Sequence, residues 1–148
     1  MSKGILREGR CLCGEVRIST RALGDEISAC YCDNCLRWSG SVQMGIEVPR
    51  DAVTVTGPVK THRSSHLAER AWCDTCGSAL WFAYVEGPDA GYFEIAPGLF
   101  KNAGDARLTH IVYSDREPTG WHMGGDLDRM PEKEYQKNFP FLSEGDTP

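Results

Sequence analysis

Cys11-Leu12-Cys13-Gly14 places two thiols one residue apart and ends them on a glycine. The pattern returns in Cys73-Asp74-Thr75-Cys76-Gly77, and a third cluster, Cys30-Tyr31-Cys32-Asp33-Asn34-Cys35, lies between them. Thiols at such spacing can point into one tetrahedral metal shell, and four of them close a structural zinc site. A glycine after the second thiol supplies the positive φ of a metal knuckle, whose backbone N–H groups aim at sulfur. Leu36, by contrast, follows Cys35. This local bias pairs Cys11 and Cys13 with Cys73 and Cys76, so that one metal stitches an N-terminal hairpin to mid-chain strands. The seven cysteines then divide into four and three.

Cys30 and Cys32 share a face of an extended strand, and a turn at Asp33-Asn34 brings Cys35 back beside them. Three thiolates on zinc leave the fourth position open, which is the pattern of catalytic rather than structural zinc. Two zinc ions per chain follow. Composition leaves a second division open, in which Cys32 and Cys35 belong to a closed quartet and other thiols stay idle. A redox Cys-x-x-Cys of the thioredoxin kind needs a βαβ setting that this chain lacks.

Outward from the clusters, short alternating or β-branched runs recur. They are Glu15 to Thr20, Ile27 to Cys30, Ser41 to Val48, Val53 to Thr56, Val59 to His62, Arg70 to Cys73, Ala79 to Tyr84, Tyr92 to Ala96 and Leu108 to Tyr113. Turn residues such as Thr56-Gly57-Pro58 and Glu86-Gly87-Pro88-Asp89 separate them. The spacing predicts an all-β, mostly antiparallel fold, with short helical turns at Asp33 to Trp38, Pro97 to Phe100 and Pro131 to Lys137. Residues 1–148 read as one domain with a frayed tail from about Ser143. Arg63 to Arg70 reads as a solvated basic loop.

A net charge of −5 argues against a nucleic-acid partner, because the phosphate backbone rewards a basic face. No stretch approaches the ~20 apolar residues that span a bilayer, and the N-terminus lacks a signal-peptide core. The expectation is a cytoplasmic protein without membrane association, where thiols stay reduced and clustered cysteines bind metal rather than form disulfides.

Three stretches carry a resemblance: Gly9 to Arg17, Cys30 to Ser41, and Arg70 to Leu80, with a later echo in His110-Ile111-Val112-Tyr113-Ser114 and Trp121. Together they resemble the glutathione-dependent formaldehyde-activating enzyme family, which also includes centromere protein V. The resemblance implies a β-tent fold of small antiparallel sheets around a structural zinc. It implies the same thiol partition, with Cys11, Cys13, Cys73 and Cys76 structural and Cys30, Cys32 and Cys35 at the active zinc. Tyr31 stands where the family often has His, and on a strand that side chain points away from the metal.

An open zinc position favours a substrate thiol in its thiolate form, the nucleophile that adds to an aldehyde carbon. The family's implied reaction has that form: glutathione and formaldehyde join as an S-hydroxymethyl adduct, formally a carbon–sulfur lyase run in reverse. Arg37, Trp38 and Ser39 follow the last trio cysteine and are candidate substrate contacts, Arg37 as a bidentate carboxylate anchor and Trp38 as an apolar wall. His110 and His122 are candidate proton carriers by residue type alone, with a satisfied structural histidine the favoured role for each, and Trp121 is read as packing the core edge. The competing functional class is a noncatalytic, zinc-stabilised protein-binding module. A methionine sulfoxide reductase of the B type is set aside, because no cysteine follows Cys76.

Overall fold

The computed structural model describes residues 4–140, so the tail expected from Ser143 lies outside the described residues. Eleven strands occur among them: β1 (Arg7–Arg10), β2 (Arg17–Thr20), β3 (Glu26–Cys30), β4 (Gln43–Pro49), β5 (Val53–Thr56), β6 (Val59–Arg63), β7 (Ala68–Cys73), β8 (Ala79–Tyr84), β9 (Tyr92–Ile95), β10 (Arg107–Val112) and β11 (Asp128–Met130). Two short helices, α1 (Asp33–Ser39) and α2 (Glu132–Asn138), fall where the sequence places helical turns, and Pro97–Leu99 forms a 3-10 turn. The mainly β reading holds.

The strands form a three-stranded sheet in the order β1-β2-β5 and an eight-stranded sheet in the order β11-β10-β3-β4-β9-β8-β7-β6. Seven of the nine strand pairings are antiparallel. The two exceptions meet at β10, which runs parallel to both β3 and β11. Period-two patterning within a strand carries no information on the direction of a partner far away in sequence. Arg63 to Arg70 is a hairpin rather than a solvated loop. It spans the end of β6, a turn, and the start of β7, and Arg70 is only 2% exposed.

One core fills the space between the sheets. Val16 and Ile18 meet Val48, Ala71, Leu80, Trp81, Phe93, Ile95 and Phe100, with Cys11 and Cys73 among them. Ile46 and Ile95 face each other across β4 and β9, both fully buried; each such side chain stabilises the fold by about 1.5–3 kcal/mol. A smaller cluster of Ala29, Tyr31, Ile111 and Tyr113 packs at the β3–β10 side. No helix of the described residues is long and apolar enough to cross a membrane.

Candidate metal centres and active-site cavity

The two knuckles fold alike because their local sequences ask for the same turn. Gly14 and Gly77 take φ of +83° and +78°, and the Gly14 and Gly77 N–H groups bond back to the Cys11 and Cys73 carbonyls. Sulfur collects backbone donors: Val16 N–H points at Cys11 Sγ and Cys76 N–H at Cys73 Sγ, at 3.3 and 3.5 Å. Ser78 Oγ sits 3.1 Å from Cys76 Sγ and accepts the Leu12 N–H, so it ties one knuckle to the other.

The sulfurs of Cys11, Cys13, Cys73 and Cys76 lie within 4.8 Å of one another, with Cys11 to Cys13 at 3.5 Å and Cys13 to Cys73 at 3.8 Å. Four thiolates at about 2.3 Å from a tetrahedral zinc stand about 3.8 Å apart, so the donor set and its spacing fit that ion. Cys30, Cys32 and Cys35 make the second group, also within 4.8 Å. All seven cysteines are free thiols.

The trio is assembled at the junction of β3 and α1. Cys30 ends the strand, and Cys32 caps the helix, its sulfur accepting the Cys35 N–H at 3.4 Å. Cys35 lies one turn in and is buried, and Gly40 closes the helix at φ +81°. Hydrogen bonds from Cys30 and Cys35, then the Cys35 N–H and the Arg70 charge, hold the Cys32 thiol down to about 3. Arg70 is a buried cation behind the cluster: one guanidinium nitrogen is 3.8 Å from Cys35 Sγ, and the others bond Ser64 Oγ and Gln43 Oε1. Its planar head also lies over the Phe82 ring at 4.9 Å.

The trio opens on a cavity of about 640 Å³. Its floor is one face of the eight-stranded sheet, supplied by alternate residues: Ser28 and Cys30 on β3, Gly45 and Glu47 on β4, Glu94 on β9, and Phe82 on β8. Tyr135 and Phe139, from α2 and its end, line it from above. A β-bulge at Thr109 shifts the β10 register between Leu108 and His110. The extra residue turns Leu108 to the core side and His110 to the cavity. None of the quartet cysteines lines this space.

The model of the family described as glutathione-dependent formaldehyde-activating enzyme matches residues 6–116, which contain both cysteine groups. The chain belongs to that family. An uncharacterised lyase of Schizosaccharomyces pombe is 32% identical over 112 residues, which is 75% of this chain and 80% of the relative. A Halomonas elongata protein provisionally named a glutathione-dependent formaldehyde-activating enzyme is 33% identical over 89 residues, 52% of this chain and 55% of its own. The crystal structure of a Rhodobacter sphaeroides protein has the same fold at a TM-score of 0.53 and 17% identity, covering 69% of this chain and 99% of that one.

As a formaldehyde-activating family member, the chain carries its trio at the cavity but not the contacts read from sequence beside it. Arg37 points outward with its side chain 78% exposed, near Asp33 at 3.8 Å. Trp38 packs on Trp72 at 5.6 Å between ring centres, clamping α1 to β7. Ser39 Oγ bonds the Cys35 and Ser41 carbonyls and finishes the helix. None of the three lines the cavity. The cation that faces the trio is Arg70, at the boundary of a predicted basic loop and a predicted strand, to which the sequence assigns no site role.

Tyr31 directly follows β3 and its side chain does not line the cavity. It is fully buried and donates its phenol hydrogen to Glu117 Oε2 at 3.0 Å. Trp121 is half exposed at the edge of the smaller core cluster, its ring 6.4 Å from that of Tyr31 and its indole N–H bonding the Tyr31 oxygen at 3.2 Å. Glu117 also takes the Met123 N–H and pairs with His122 at 2.6 Å, and these contacts hold its carboxyl below the usual range. His122 is therefore satisfied outside the cavity. Glu94 escaped the sequence reading altogether; its one signal is a carboxylate alternating with the buried Phe93 and Ile95.

Proposed function

We propose that this protein is a zinc-dependent carbon–sulfur lyase that joins a thiol of the glutathione type to a small aldehyde such as formaldehyde, or cleaves the S-hydroxymethyl adduct. In this reading the fold is a β-tent, Cys11, Cys13, Cys73 and Cys76 hold a structural zinc, and Cys30, Cys32 and Cys35 hold a second zinc at the reaction centre. Seven reduced thiols suit a cytoplasmic protein. The observation that carries the reading is the contrast between the two sulfur groups. Three converge in the lining of a cavity, and four do not line it.

Zinc bound at the trio supplies an open position that favours a substrate sulfur as thiolate. The chain's residues do the rest. Arg70 offsets the negative charge of three thiolates, and the cavity walls exclude water and hold the aldehyde within reach of the sulfur. Three thiolate donors leave a weak Lewis acid, which ranks hydrolysis below sulfur transfer. The wall carries Asp25, Glu26, Glu47 and Asp89, so an ammonium group on the thiol suits it better than a carboxylate.

Formaldehyde adds to thiols unaided, so the test compares exchange rates by NMR with and without zinc-loaded protein, for glutathione and for a small aminothiol. Acceleration by the native chain and its loss in Cys32→Ser are expected. Spontaneous rates for every thiol, with zinc measured at the trio, would leave the noncatalytic binding module.

A further inference from the structure

The thiol gives up a proton when its sulfur attacks, and the aldehyde oxygen must gain one. Cys30, Cys32 and Cys35 cannot carry that proton while they bind metal. The cavity floor holds a carboxyl placed to do so. Glu94 stands on β9, directly opposite Glu47 on β4 and Phe82 on β8. A side chain at the neighbouring Gly45 would bring its Cβ to 2.8 Å from Glu94 Cβ, so the absence of one there leaves Glu94 its room. Glu94 Oε1 accepts the Ser28 hydroxyl at 3.3 Å. Ser28 is two residues before Cys30 on the same strand face, about 7 Å along it. Glu94 Oε2 is buried and has no hydrogen-bond partner among the described residues.

We propose that Glu94 is the proton carrier of the thiol–aldehyde reaction, accepting the thiol's proton and returning it to the aldehyde oxygen. The proposal rests on the function given above. The steps balance without any further reactant. The S–H bond breaks and its proton goes to Glu94; the sulfur pair forms the S–C bond; the carbonyl π pair moves to oxygen. The Glu94 proton then completes the hydroxyl and the carboxylate is restored. Cleavage runs through the same transfers in reverse.

The surroundings suit a group that both takes and gives. Burial, then the charge of Glu47, push the Glu94 carboxyl up to about 7, against the Ser28 hydrogen bond, with Asp89 adding to the rise from the β8–β9 loop. A carrier is most effective when its pKa lies near the working pH. Tyr135 faces Glu94 from α2 and Phe82 from β8. Arg70, the next residue in that cross-strand row, is committed to Ser64, Gln43 and Cys35. His110 also lines the cavity, but its Nδ1 is engaged by Thr109 Oγ1 at 2.6 Å.

The test pairs exchange kinetics with a titration that needs no turnover. Zinc-loaded Glu94→Gln should lose about 100-fold in rate, keep its metal content and KM, and lack the rise in rate expected of the native chain as pH climbs through about 7. Glu94→Asp should recover part of that loss. In protein labelled with ¹³C at glutamate carboxyls, the resonance missing from Glu94→Gln should titrate near 7. A Glu94→Gln variant at the native rate, or a resonance that titrates in the ordinary carboxylate range, overturns the proposal. A native chain that accelerates nothing overturns the function as well, so the two failures are told apart.

Discussion

Glu94 costs the fold stability at the pH where it is useful. Its carboxyl binds a proton more tightly in the folded protein than in the unfolded chain, because burial and Glu47 both oppose its charge. Between about 4.5 and about 7 the folded state therefore holds more protons, and stability falls as pH rises through that window. A shift of this size corresponds to about 3 kcal/mol. Below the window the carboxyl is protonated in both states and the loss is absent. Glu94→Gln carries no charge to bury, so its stability relative to the native chain should increase by up to that amount between pH 5 and pH 8. Urea unfolding of both proteins at the two pH values checks this, and parallel curves would contradict it. Arg70 is the opposite case, a buried charge held by three hydrogen-bond partners and two aromatic faces. Removing such a charge would leave the sulfur cluster uncompensated.

At the scale of elements, the strands were legible wherever one face is buried, because apolar residues then alternate with polar ones. The Glu15-to-Thr20 and Tyr92-to-Ala96 runs show this, whereas Ala79 to Tyr84 reads as a continuous apolar run. The Arg7–Arg10 and Asp128–Met130 strands were not legible: they are short, polar edge strands whose existence depends on a partner elsewhere. The same alternation concealed the cavity. Ser28, Glu47 and Glu94 read as a solvent face, and nothing local tells a solvent face from one roofed by α2. The thiol groups were legible because knuckle turns are local, down to the positive φ of Gly14 and Gly77. Their partition has a mechanical consequence. Cys11 and Cys13 lie in the β1–β2 turn, Cys73 ends β7, and Cys76 lies in the β7–β8 turn. A metal there joins the two sheets, whereas the trio joins only β3 to the helix beside it. Cys73→Ser should therefore abolish soluble expression or lower Tm sharply, and Cys35→Ser should leave a folded protein. Equal thermal stability of the two variants would refute the assignment.

For the whole molecule, metal loss should proceed in two stages. The quartet closes a loop of about 60 residues between Cys13 and Cys73, so binding free energy there becomes folding free energy. At the trio, three ligands bind less tightly than four, and the cavity admits a chelator to the open position. Native protein should carry two zinc ions per chain. A mild chelator should remove one of them with little change in Tm and with loss of the thiol–aldehyde exchange, while the far-UV spectrum is retained. Exhaustive chelation should then remove the second and unfold the chain, because Cys11 and Cys73 sit inside the core that the two sheets share. Zinc content, Tm and exchange rate measured on the same samples decide the order. One site of uniform affinity, or unfolding that accompanies the first zinc lost, would mean that the trio is as much a staple as the quartet.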